Sequence, residues 1–288
     1  MTVEVAIQQA LNGISFGALL FILAAGLSLI FGMMDVINLA HGAFYMLGAY
    51  IALAAVQRTG NFWLALVLAP LLVGALGLVI EPLLLRRLRG RHLDQVLLTI
   101  GISLVIVDLV GLVAGREIRS IPFPAGLDRS VPIIGGDYPV YRLFVIAFGI
   151  LLAALFAFIH RRSRLGALIR AGVDDAAMAR VVGIRVSRLF TIVFCLGAWL
   201  AGFAGVIGGP ILSVYPGLDG EMLPLALVVV ILGGSGSLLG SLVGSFVVGF
   251  LYNFGQAMFP ELAYVVLFLP MLIVLVLRPQ GLFGRPAV

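Results

Sequence analysis

Residues 5–34, 36–57, 59–80, 189–218 and 222–260 contain no aspartate, glutamate, lysine or arginine. Each run reaches or exceeds the roughly 20 residues with which an α-helix crosses a bilayer. Shorter apolar runs lie at 143–160 and 262–277, and 95–115 is broken only by Asp108. With 62% of residues hydrophobic and 11% charged, the chain could not cover a soluble core with a polar surface. The runs are continuous rather than alternating in ten-residue segments, so spanning helices are expected and a barrel is not. The expected fold is all-α: a polytopic membrane bundle in one domain over residues 1–288, in a bilayer such as the bacterial inner membrane. The first run follows no basic region and precedes no small-residue cleavage site, so it reads as a retained helix. Cys195 is the one cysteine and has no partner for an internal disulfide.

Arginine placement orients the spans. Arg86, Arg87, Arg89 and Arg91 fall in one loop, and 161–188 carries seven arginines against Asp174 and Asp175. The positive-inside rule puts both loops in the cytoplasm, with 116–142 outside between two crossings. The run 222–260 would extend about 58 Å as one helix, nearly twice the ~30 Å hydrocarbon core. A break at the glycines and serines of 233–237 resolves the excess. With it, Arg278 and Arg285 return to the cytoplasm. Counting backwards from Arg86 places Arg58 outside, Asp35 on the inner side and the N-terminus outside. If the segment near Asp35 re-enters, the N-terminus flips, so eight or nine crossings are expected. The net charge of +5 is explained by orientation, not by nucleic acid.

Gly236, Gly240 and Gly244 recur every four residues, as do Gly197, Ala201, Gly205 and Gly209. Such stripes let helix backbones approach closely, within one chain or across a dimer seam. The stretches around 24–42 and 200–220 each run from a small-residue helix into a polar interruption. Paired interruptions point to a transport path.

All eighteen basic residues are arginine. Without lysine, a phosphate-binding loop of the G-x-x-x-x-G-K-[ST] type cannot exist here, so nucleotide energy has to come from another subunit. Nothing supplies a nucleophile with a base, and a lone His41 is not a metal site, so a non-enzymatic chain is expected. In the basic loop, Ser163 can cap a helix that ends before Gly172, and Asp174 a second that ends before Gly183. The second places Met178, Val181 and Val182 opposite Arg180 and is too short to stand without a partner surface. A solvated loop held by membrane lipid is the alternative.

The stretches "GLSLIFGMMDVINLAHGAFYMLGAY", "RAGVDDAAMARVVGI", "LAGFAGVIGGP" and "LGGSGSLLGSLVGSFVVG" resemble the permease subunit of high-affinity branched-chain amino acid ABC transporters, from about Gln9 to Gly284. The resemblance implies a type II importer-like permease that pairs with a second, homologous permease. It also implies two cytoplasmic subunits that bind ATP and magnesium, a periplasmic binding protein, and no cofactor in this chain. The short helix in 161–188 would dock on the ATPase through Arg170, Asp174, Asp175, Met178, Arg180 and Gly183. The signature E-A-A-x-x-x-G is only approximated, because glycine comes at 183 and not at 181.

Asn38, His41 and Tyr45 share a face if their stretch is helical. Polar groups at this depth face protein or water. Either they line the path, with Tyr215 and Ser235, and offer neutral hydrogen-bonding groups to a zwitterion, or Asn38 and His41 tie a broken helix internally. Both readings stand on the sequence. Asp108 lies two turns before Arg116 and reads as locally solvated or paired, while Asp219 and Glu221 make the later interruption acidic. Two rivals remain: a secondary transporter coupled through Asp35 or Asp108, and a passive channel. Leucine-type and other amino acids, urea, amides and aromatic acids all remain open as substrates.

Overall fold

The computed structural model describes residues 2–34, 36–133, 136–174 and 176–284. Asp35, Asp175 and Arg285 therefore lie outside the described residues, as does any structural account of their roles. Eleven α-helices are described: α1 (Val3–Met34), α2 (His41–Thr59), α3 (Phe62–Leu83), α4 (His92–Ala114), α5 (Val140–Arg162), α6 (Arg164–Asp174), α7 (Ala176–Val181), α8 (Val186–Leu212), α9 (Leu218–Gly233), α10 (Leu238–Met258) and α11 (Ala263–Leu277). Six of them, α1, α3, α4, α5, α8 and α10, are long and apolar enough to cross a membrane. The sequence expectation of eight or nine crossings counts shorter helices as well.

The helix boundaries have local causes. Asn38 accepts a hydrogen bond from the Ala40 amide at 3.2 Å, and its carbonyl accepts from the His41 amide at 3.2 Å. This turn competes with the helix, so residues 36–40 stay irregular and α2 starts at His41. Asn38 therefore precedes the helix, and the expected helical face of three residues reduces to His41 and Tyr45. Gly60 ends α2 in a left-handed conformation at φ +67°, and the Asn61 side chain caps α3 by accepting from the Leu64 amide at 3.1 Å. The long run 222–260 does break at 234–237, where Ser237 caps α10 by accepting from the Gly240 amide at 3.0 Å. Ser163 caps α6 through the Gly166 amide at 2.9 Å, but α6 continues through Gly172 to Asp174 rather than stopping before the glycine.

The loop between α4 and α5 carries one departure from all-α. Strands β1 (Ser130–Ile133) and β2 (Gly136–Pro139) pair antiparallel, with Val131 opposite Tyr138. The sequence reading did not separate this hairpin from loop, since four-residue strands are too short for a period to register.

Helix α1 is the hub, packed by α10, α8 and α5, while α2 and α3 lie against α8. Close backbone approach allows this. A Cβ on Gly205 would collide with the Tyr45 carbonyl oxygen across α8 and α2, and one on Gly240 with the Gly233 carbonyl across α10 and α9. Gly244 approaches the Val229 carbonyl on the same seam, whereas Gly236 belongs to the turn and abuts Gly32 of α1. Outward, α3, α4 and α5 expose Leu71, Leu104, Val113 and Leu151, as helices facing hydrocarbon do. The C-terminal segment returns to the α9–α10 turn, where the amides of Leu282 and Phe283 donate to the carbonyls of Leu232 and Gly233 at 2.9 and 3.0 Å. Arg278 and that turn thus lie at the same end of the bundle, as the charge count requires.

Candidate functional site

The two irregular segments, 36–40 and 213–217, each deliver a short helix into the interior, and the starts of those helices meet. A Cβ on Gly42, in the first turn of α2, would fall 2.5 Å from the Asp219 carbonyl oxygen and 2.8 Å from the Leu223 Cβ of α9. Neither helix has a side-chain cap; α9 is preceded by Gly217 at φ +113°. Uncapped helix starts present amide donors and the positive end of the helix dipole, which favour an anionic group.

Buried polar atoms gather beside this junction. The Nε2 of His41 lies 2.9 Å from the Leu23 carbonyl oxygen of α1. Leu23 is about 16 Å along α1 from Met34, roughly half the depth of a ~30 Å hydrocarbon core. Asn38, His41 and Tyr45 are fully buried, and Asn38 Nδ2, His41 Nδ1 and the Tyr45 hydroxyl have no hydrogen-bond partner. Such orphans are rare in folded proteins, and a cluster of them calls for an absent partner. The Tyr45 hydroxyl fills the space left by Gly208, and Tyr215 lies within electrostatic reach of it. The cluster is closed to solvent in this conformation. Around the start of α9, Gly217, Gly220 and Glu221 are exposed and Asp219 half-buried. Arg119, in the loop between α4 and α5, exchanges two backbone hydrogen bonds with Val214, at 2.9 and 2.7 Å, and so pins that loop over the α8–α9 break.

Ser235 is set apart from this cluster. It lines a cleft of about 880 Å³ at the other end of the bundle, with Arg161 of α5 and Arg170 of α6. Of the residues expected to meet an ATPase, Met178 and Arg180 lie exposed on α7, and Gly183 turns the chain after it at φ +88°. Asp174 ends α6. Val181 and Val182 are exposed beside Met178, while Ala179 is buried in a small second core with Met33, Ile169 and Phe190. This core binds the short helices to the ends of α1 and α8.

Sequence reasoning missed several participants. Thr99 of α4 holds the 36–40 segment: its hydroxyl accepts from the Leu39 amide at 3.2 Å. Glu81 is the fully buried carboxylate among the described residues. It accepts from Arg89 at 2.7 Å, Arg86 at 3.4 Å and the Thr191 hydroxyl at 2.5 Å, and the Arg89 guanidinium stacks over Phe190 at 4.5 Å. A carboxylate closing an apolar run just before four arginines was the available signal. Asp108 is 73% exposed, 3.9 Å from Arg116, in keeping with a solvated, loosely paired residue. Among the described residues, no three histidine, cysteine, aspartate or glutamate side chains cluster closely enough to hold a metal ion.

Six helices long and apolar enough to cross a membrane, packed around two irregular interruptions, are the architecture of a multi-pass membrane protein. The chain belongs to the family of permease components of branched-chain amino acid transport systems, whose family model matches residues 9–275. It is 31% identical to the high-affinity branched-chain amino acid transport system permease protein BraD of Pseudomonas aeruginosa, over 98% of this chain and 97% of that one. With the LivH permease protein of Escherichia coli K12 it shares 30% identity over 98% of this chain and 96% of the relative. The LivM permease protein of the same organism is 26% identical over 91% of this chain and 67% of its own length. No solved structure gives a significant match.

Proposed function

We propose that the chain is the membrane-spanning permease subunit of an ATP-driven importer, and that it carries branched-chain amino acids across the bacterial inner membrane. The observation that carries this reading is the end-to-end match to BraD and LivH. In this reading α2, α9 and α11 cross with the six long helices, giving nine crossings, with the N-terminus outside and residues 161–188 as the cytoplasmic coupling loop of a single domain. A second permease of the LivM kind completes the path, two ATPase subunits bind ATP and magnesium against α7, and a periplasmic binding protein delivers the amino acid. The chain itself performs no catalysis.

The junction of α2 and α9 is the proposed substrate site. The amino acid carboxylate lies at the two uncapped helix starts, and its ammonium donates to Nδ1 of His41. Asn38, Tyr45 and Tyr215 supply neutral hydrogen bonds, and the apolar side chain needs no charged partner. The test is accumulation in proteoliposomes: the complete assembly with ATP and binding protein concentrates leucine, and omission of the ATPase abolishes it. Accumulation by the purified chain under a proton gradient alone overturns the reading, and downhill flux without any partner would make the chain a channel.

A further inference from the structure

The cleft that holds Ser235 has a composition unlike a substrate route. Its deep part is apolar, walled by Phe21 of α1, Ala153 and Phe156 of α5 and Leu242 of α10. Its mouth is cationic, with Arg161 and Arg170 in the wall and no acidic residue among the lining side chains. Ser28, halfway down, is fully buried, and its hydroxyl has no hydrogen-bond partner. From Phe21 to Gly32 the cleft follows α1 for about 16 Å, roughly the half of a ~30 Å hydrocarbon core that one leaflet fills.

We propose that this cleft binds one anionic phospholipid of the cytoplasmic leaflet, with an acyl chain along α1 between α5 and α10 and the phosphate on Arg161 and Arg170. The proposal rests on the orientation given under the proposed function. A lipid fits the cleft for three reasons. One-leaflet depth matches an acyl chain, whereas a helix of a partner subunit would need a groove about 10 Å wide through both leaflets. Paired arginines at the membrane surface attract phosphate. The apolar floor rejects a free anion, which gains nothing from it. The bound lipid would link α6, which leads into the coupling helix α7, to the start of α10.

Native mass spectrometry of the complete assembly, incubated with phosphatidylglycerol or phosphatidylcholine of the same acyl chains, reads the binding. Retention is measured without transport, so it stands or falls separately from the importer reading. The permease subunit is expected to retain one phosphatidylglycerol in preference to phosphatidylcholine. Arg161→Gln and Arg170→Gln are each expected to weaken retention about fivefold, and together about thirtyfold, while Arg87→Gln outside the cleft leaves it unchanged. Ala153→Trp, which fills the floor with both arginines in place, is expected to abolish retention, so the result does not depend on the arginine variants assembling. Inorganic phosphate at millimolar concentration is expected not to compete. Equal retention of both lipids, insensitivity to the double arginine variant or to Ala153→Trp, displacement by phosphate, or lipid lost when the partner subunits assemble would each overturn the proposal.

Discussion

The imidazole Nε2 of His41 lies 2.9 Å from the main-chain oxygen of Leu23. A carbonyl oxygen only accepts, so Nε2 carries the proton and the neutral ring offers Nδ1 as a bare acceptor. That atom is buried without a partner, in position to take a proton donor from a ligand. Glutamine at this position can keep a donor on the Leu23 oxygen, but its amide oxygen then no longer occupies the position of Nδ1. His41→Gln is expected to leave expression and assembly intact and to lower ATP-driven leucine uptake at least tenfold, the loss of a hydrogen bond to a charged group. Initial rates in proteoliposomes check this.

Glu81 ties the end of α3 to α8 through Arg86, Arg89 and Thr191, next to the helices that would receive the ATPase. Breaking a buried pair leaves cations uncompensated, so Glu81→Gln is expected to destabilise the chain by about 3 kcal/mol, and Thr191→Val by about 1 kcal/mol. Thermal denaturation of the detergent-solubilised chain measures both.

The same substitution is expected to have opposite signs at two glycines. A methyl group on Gly205 meets the Tyr45 carbonyl oxygen, which cannot move without parting α2 from α8; Gly205→Ala is expected to cost about 3 kcal/mol. Gly101, in the middle of α4, has open space at its Cβ position. Gly101→Ala is expected to stabilise by up to about 1 kcal/mol through helix propensity. Melting temperatures of the two variants give the comparison.

Met178, Val181 and Val182 are exposed on and just after a helix only six residues long, α7. An apolar surface that small in a basic loop fits a partner groove. Val181→Asp is expected to leave the melting temperature of the chain unchanged and to reduce ATPase co-purification about tenfold, the order of one buried valine.

The long apolar helices, the break at 234–237 and the return of Arg278 to the end of the bundle that holds this break were legible because length and charge in a bilayer are one-dimensional constraints. The start of α2 was not. Helical spacing grouped Asn38 with His41 and Tyr45, but the Asn38 side chain bonds the Ala40 amide and holds its own residue outside the helix. The meeting of α2 with α9 and the anchoring of Glu81 to Thr191 join residues far apart in sequence, which no local period encodes. The hairpin at β1 and β2 is too short to announce itself. Ser235 sits on a glycine-rich turn that sequence could locate, yet its separation from His41 is set by packing alone.

The account's central claim is that the start of α2 and the start of α9 hold the transported amino acid. The direct measurement is a structure of the complete assembly trapped with leucine. The account predicts the leucine ammonium about 3 Å from His41 Nδ1 and its carboxylate at the first turns of α2 and α9. Leucine bound elsewhere, with His41 Nδ1 still facing only protein, would contradict it.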